Sequence, residues 1–398
     1  MRKWLAAFGA AVLAASGAAD AAPADFERWV ASFRAEAAAA GISAEVLDQA
    51  LTGLSVNTRV YELNDNQPEF SRAIWDYLDS AVSAKRIETG QARYLENRRL
   101  LTLIEEAYGV DAEIISAIWG LESSYGAIMG DYDAIQALAT LAFEGRRTGY
   151  GRSQLIGALK IIQHGYATRS ELKGSWAGAM GQTQFIPTTY LSYAVDHDRD
   201  GRRDIWSNLG DVFASTANYL SVSGYRRDEA WGVEVRLPAG FDYALADSGV
   251  EKAVVEWAAG GVSTMTGPSL TERYDPNLHG RLVLPAGARG PAFIVFENFE
   301  PILKYNRSTA YALAVALLSE KIAGRGGDVI ALWPREDRPL TLDERKSLQQ
   351  ALKDRGYDPG PIDGVIGAGT KRALRAWQQA AGLPADGYAS AVVLEALK

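Results

Sequence analysis

The sequence predicts a mainly α protein of the α+β class, with a helical body, a small β-sheet set into it, and a separate helical unit at the C-terminus. Three patterns predict this. Residues 24 to about 105 are rich in Ala, Glu, Leu and Arg at helical spacing, as in "ADFERWVASFRAEAAAAGISAEVLDQAL". Between 231 and 300, "WGVEVRLPAG" and "GPAFIVFENF" alternate in strand fashion between Gly and Pro. The stretch "GRGGDVIALWPREDRPL" then shifts to Gly, Pro and charge ahead of a last unit from about 340 to 398. A chain of 398 residues suits two or three domains, and 47% apolar with 23% charged residues is an ordinary globular balance.

The first residues, "MRKWLAAFGAAVLAASGAADAAPADF", run from a basic start through an apolar stretch to small residues. They read as a signal peptide over 1–21, cleaved after Ala19-Asp20-Ala21, with an uncleaved anchor as the competing reading. No later stretch is apolar enough for a span. The chain has no cysteine, which rules out disulfides, thiol catalysis, thiolate metal sites and lipidation through an N-terminal cysteine. Export without an anchor points to a soluble protein of a bacterial periplasm or the outside of the cell, of which the periplasm is the expectation. Acidic residues (49) outnumber basic ones (41), the formal charge is −8, and no basic block stands out, which argues against a nucleic-acid partner. Helices alternating with glycine-rich loops are expected over about 106–224, where polar loop residues concentrate the chemistry. "NRSTAYALAVALLSEKIAG" predicts a closing helix over 306–324 that stops at Gly324, and 326–339 reads as a linker.

One carboxylate stands out in "DAEIISAIWGLESSYG". Asp111 is placed to cap a helix and Gly126 to end it in the left-handed conformation. Ile115, Ile118, Trp119 and Glu122 fall on one face, so Glu122 lies on the apolar stripe near the helix C-terminus. Burial and the helix dipole both favour its protonated form, as a general acid near neutral pH requires. A structural or solvated glutamate is the plainer alternative. Downstream, "GSWAGAMGQTQFIPTTY" packs Gly174, Gly178 and Gly181 beside Gln182 and Gln184. Such a loop lets backbone approach a ligand while amides read hydroxyl or acetamido groups, or it is a tight turn between helices.

Together "WGLESSYG", "GAMGQTQFIPTTY", "TANYL" and "NFEPILKYNRSTAYALAV" closely resemble the membrane-bound lytic transglycosylase B family, in order and over about 25–325. The resemblance implies a lysozyme-like core and makes Glu122 the sole catalytic acid and base. It implies a sugar cleft lined by Ser175, Gln184, Tyr219, Tyr305, Asn306 and Tyr311, though tyrosines at helical spacing are as often core. No cofactor is implied for catalysis. The activity implied is non-hydrolytic cleavage of the β-1,4 bond between N-acetylmuramic acid and N-acetylglucosamine in peptidoglycan, leaving 1,6-anhydro ends. A hydrolytic muramidase and a silent wall-binding protein are the alternatives. Hydrolysis usually needs a second carboxylate.

"DHDRDGRRDIWSNLGD" offers Asp196, Asp198, Asp200 and Asp204 with Gly201 at the turn, matching EF-hand positions but for Ser207 where a bidentate Glu belongs. The reading is a structural calcium loop completed by Asp211, or an acidic loop neutralised by Arg199, Arg202 and Arg203. In the last unit, Leu348, Leu352, Leu374, Trp377 and Leu394 predict a three-helix core. Its "LQQAL", "DGVIGAGT" and "RAWQQAAGL" resemble the peptidoglycan-binding type 1 domain over 340–398, implying a weak wall-binding unit on a short tether.

Overall fold

Helices carry most of the chain in the computed structural model, which describes residues 23–65, 72–246 and 249–398. The expected signal segment 1–21 lies outside the described residues. Six helices come first: Pro23–Ala39, Ala44–Leu51, Thr58–Asp65, Ile74–Ala81, Ala84–Glu96 and Arg98–Tyr108. They feed two cores. Phe26, Phe33 and Leu47 pack with Ile135, Leu155, Leu159 and Tyr190. Leu78, Leu101 and Ile104 join Ile115, Ile118, Phe213 and Leu313. Each outer helix buries one stripe only, as amphipathic spacing dictates; Arg98–Tyr108 buries Leu101 and Ile104.

The helix Ala112–Ser123 departs from that rule. The sequence predicts one apolar face, yet Ala112, Ile114, Ile115, Ser116, Ala117, Ile118, Trp119, Gly120 and Ser123 are all buried. It packs against Ala84–Glu96, Arg98–Tyr108, Leu209–Val222 and Thr309–Ile322, so it is enclosed nearly all round. Asp111 stands at its N-cap without capping it. The carboxylate instead accepts from the Tyr225 hydroxyl at 2.7 Å and the Asp228 N–H at 3.1 Å. At the other end the left-handed conformation begins at Ser124 (φ 50°), before Gly126, and continues through Tyr125 (φ 59°) and Gly126 (φ 84°).

The predicted sheet is present. Five antiparallel strands lie in the order Lys252–Ala253, His279–Val283, Ala292–Val295, Gly232–Arg236, Ser263–Thr264. Its central strand is buried on both faces: Ile294 points into the sheet's own core with Val233, Leu282 and Trp257, while Phe293 and Val295 face the helical body. The closing helix is shorter than predicted, Thr309–Ile322, and the Ser308 hydroxyl caps it by accepting from the Tyr311 N–H. Tyr305 therefore ends a separate helix, Phe299–Tyr305, with Asn306 as its C-cap.

The last unit is three helices, Leu342–Asp354, Ala368–Ala380 and Ala391–Leu397, around Leu348, Leu352, Leu374, Trp377 and Leu394. Two matching clasps hold its turns. Gln349 bonds Asp363 and the Gly364 N–H; Gln378 bonds Asp386 and the Gly387 N–H. The segment 326–339 differs from a loose tether, because it is laid against the body. Glu234 accepts from the Ile330 and Ala331 N–H groups, Arg335 pairs with Asp79, and Trp333 tilts over Trp75. Asp337 is fully buried, pairing with Arg289 and accepting from the Val392 N–H, while Asp386 accepts from the Ala288 N–H at 2.7 Å. Asp337→Ala leaves those donors unmatched at the seam and should destabilise the C-terminal unit by about 1–3 kcal/mol, read as a lower urea midpoint for that unit.

Candidate active site

Glu122 sits in the last turn of the buried helix Ala112–Ser123 and is itself only partly buried. The hydroxyl of Tyr311, in the first turn of the closing helix, donates to its Oε1 at 2.7 Å. Burial pushes the carboxyl pKa up to about 7, and the phenol's hydrogen bond holds it back from rising further. No other carboxylate among the described residues enters that balance. Tyr311 is itself raised well above the usual tyrosine value, first by burial and then by the charge of Glu122, so it stays a donor.

Aromatic rings extend from this pair. Tyr305 lies parallel to Tyr311 with centroids 6.5 Å apart, Tyr219 stands edge-on to Tyr305 at 5.0 Å, and Phe185 backs both. The hydroxyls are tied to backbone: Tyr305 donates to the Thr183 carbonyl and Tyr219 to the Lys304 carbonyl, both at 2.7 Å. Asn306 follows at the exposed helix end. Tyr219, Tyr305 and Tyr311 thus form one row with Glu122.

The glycine-rich loop is a packed turn. A Cβ on Gly174 would strike the Ala179 carbonyl, and one on Gly181 (φ +64°) would come 2.6 Å from the Ile205 carbonyl. These glycines make room for the protein's own backbone. Ser175 orders the turn by accepting from the Ala177 and Ala179 N–H groups at 3.3 and 3.1 Å. Gln184, at φ 51°, donates to the Met129 and Gly181 carbonyls, pinning the chain that follows Glu122 to the loop.

One residue the sequence reading placed on a ligand is turned inward instead, and another escaped it. The buried Gln182 accepts from Trp119 Nε1 at 2.6 Å and donates to the Trp206 carbonyl at 2.8 Å. Nothing in "GQTQF" marks it apart from Gln184. Tyr77, on Ile74–Ala81, has a pKa raised by burial and by the charge of Glu122. Its segment reads as an ordinary amphipathic helix, so no local signal pointed to it.

In the acidic loop, Asp196, Asp198 and Asp211 bring carboxylate oxygens within 4.8 Å of one another. Asp200 and Asp204 fall outside that group. The first accepts from the Arg202 N–H; the second caps the Trp206 and Ser207 N–H groups. Asp211 is buried, and its two oxygens accept from the His197 and Asp204 N–H groups at 2.7 and 2.6 Å. Three converging hard oxygen donors suit a divalent cation such as calcium.

Comparison with known proteins finds a family and related structures. Residues 25–320 match the transglycosylase SLT domain and residues 341–397 a putative peptidoglycan binding domain. Membrane-bound lytic murein transglycosylase B of Escherichia coli (strain K12) is 30% identical over 298 residues, spanning 71% of this chain and 79% of that protein. The crystal structure of SltB3 from Pseudomonas aeruginosa in complex with NAG-anhNAM-pentapeptide is 50% identical, with a TM-score of 0.89 over 94% of this chain and 99% of that one. The Escherichia coli lytic transglycosylase Slt35 in complex with calcium is 28% identical, with a TM-score of 0.64 over 77% and 95% of the two chains.

Tyr311→Phe removes the hydrogen bond that favours the carboxylate. The Glu122 carboxyl should then titrate above its value of about 7, seen as a later onset of the carboxylate band in an infrared pH titration. An unmoved or earlier onset contradicts the role given to the phenol.

Proposed function

The chain belongs to the transglycosylase SLT domain family, and from that premise we propose how its geometry performs lytic transglycosylation of peptidoglycan. The supporting observation is Glu122: one partly buried carboxyl whose desolvation raises its pKa to about 7, one phenol donor, and no second carboxylate among the described residues in that balance. At neutral pH a fraction of such groups carries the proton that a leaving sugar oxygen needs. With Oε1 held by Tyr311, the proton resides on Oε2.

Glu122 protonates the oxygen linking N-acetylmuramic acid to N-acetylglucosamine. As the bond breaks, the substrate's own acetamido carbonyl closes onto C1 and carries the positive charge as an oxazolinium. The Glu122 carboxylate, steadied by the Tyr311 hydroxyl, then removes the proton of the muramic C6 hydroxyl. That oxygen attacks C1, the acetamido carbonyl leaves, and the product is a 1,6-anhydro sugar. The acid ends protonated, and no water is consumed. A hydrolase would need a separate carboxylate to activate water. Ser175, Gln184, Tyr219, Tyr305, Asn306 and Tyr311 line the sugar cleft in this reading, the tyrosines offering flat apolar faces to sugar rings.

Asp196, Asp198 and Asp211 would hold calcium, which supplies charge to close the acidic loop and takes no part in the chemistry. The C-terminal unit binds the wall. The protein acts in the periplasm after removal of its leader, and none of the described helices is long and apolar enough to cross a membrane.

Glu122→Gln keeps the size and the acceptor for Tyr311 but removes the proton. Turnover of purified sacculi should fall by about 10²–10⁴-fold, and the parent's products should weigh one water less than hydrolytic ones. Stability should move the other way. A carboxyl whose pKa rises on folding, here to about 7, stabilises the fold below its unfolded value and loses that stability as pH rises toward 7. The Gln variant should therefore melt no lower than the parent at pH 8. Calcium at millimolar concentration should raise the parent's melting temperature above that with chelator, and Asp196→Ala with Asp198→Ala should abolish the difference.

A further inference from the structure

We propose that Gln182 is a positioning residue that couples the carboxylate loop to the catalytic acid. The inference rests on the reading of Glu122 as the acid and adds a residue and a route to it.

A continuous run of hydrogen bonds joins the two places. The buried Asp211 accepts from the Asp204 N–H, and the Asp204 carboxylate accepts from the Trp206 N–H at 2.9 Å. The Trp206 carbonyl accepts from Gln182 Nε2 at 2.8 Å, and the Ile205 carbonyl accepts from the Gln182 N–H at 2.8 Å. Gln182 Oε1 accepts from Trp119 Nε1 at 2.6 Å. Trp119 lies three residues before Glu122 on the same helix, and its carbonyl takes the Ser123 hydroxyl and the Tyr125 N–H that form the helix end. Gly126 closes over the amide: a Cβ there would run into Gln182 Oε1.

Every polar atom of the amide side chain is used, half toward the loop and half toward the acid helix. The bond to Trp119 is buried and the bond to Trp206 partly so, and in such an interior setting geometry is held stiffly. An apolar residue of the same length would fill the space and sever the link. Loop order, including any cation held by Asp196, Asp198 and Asp211, thereby reaches the orientation of the helix end that carries Glu122. A sugar need not touch Gln182 for this to hold.

Gln182→Met in the full chain tests the coupling. Loss of one buried and one part-buried hydrogen bond to positioning groups should lower kcat on a soluble glycan about tenfold, with KM within about twofold. Calcium should still raise the variant's melting temperature, while any calcium dependence of kcat seen in the parent disappears. Trp119→Phe cuts the same link from its other end, so the double variant should be no slower than the slower single one. A kcat within about twofold of the parent overturns the proposal. So does a KM that rises in step with the fall in kcat, which would make Gln182 a substrate contact, or additive losses in the double variant. If calcium leaves the parent's melting temperature unchanged, the calcium reading falls instead. The kcat–KM split and the double variant then decide the role of Gln182 by themselves.

Discussion

A carboxyl group that must carry a proton at neutral pH has to be taken out of water and still be reachable by its substrate. With Glu122 read as the acid, as proposed above, the packing around it meets that constraint. The helix bearing Glu122 is walled in along its length by four others, while Leu121 and Glu122 in its last turn are only partly buried. Keeping an ionisable group in that position costs stability, which the helix offsets with aliphatic side chains such as Ile115 and Ile118, each worth about 1.5–3 kcal/mol when fully buried. The abrupt stop, with three consecutive left-handed residues from Ser124, bends the chain away at once and leaves the carboxyl at the edge.

Glu122 has one hydrogen-bond partner, Tyr311, among the described residues, and its charge is felt by Tyr77 from a helix far earlier in the chain. Tyr77 arrives on an early helix and Tyr311 on the closing one, so the acid is confined only when the body is complete. The sheet contributes by its central strand, whose Phe293 and Val295 pack into the same core as the acid helix. The glycine loop acts as a splint: Gln184 ties it to Met129, and Gln182 ties it to Trp119 and to the carboxylate loop. A structural cation at that loop would stand a few hydrogen bonds from the chemistry without joining it.

The C-terminal unit has its own core, but it is fastened rather than hung. Asp337 and Asp386 engage the Ala288–Arg289 turn, and the connecting segment lies along the body. Wall recognition and bond cleavage therefore sit at a set separation. That is a different physical arrangement from a flexible tether, which would act through local concentration alone.

Much was legible in the sequence itself. Helical and strand periodicity located the body, the inserted sheet and the three-helix unit, because burial of one face leaves a repeating pattern in the chain. The apolar setting of Glu122 predicted a desolvated carboxyl, while the spacing of Asp196 and Asp198 left a calcium loop and an acidic loop neutralised by arginines both open. What periodicity cannot carry is a contact between distant residues whose side chains meet only after packing. Tyr311 reaches Glu122 across 189 positions and Gln182 reaches Trp119 across 63. The same holds for the exclusion of Asp200 and Asp204, whose carboxylates were drawn into local turns, and for the full enclosure of a helix that reads as one-sided. Local composition sets which faces are apolar. Which neighbour covers each face, and where a hydroxyl or amide then points, is decided by the assembled core.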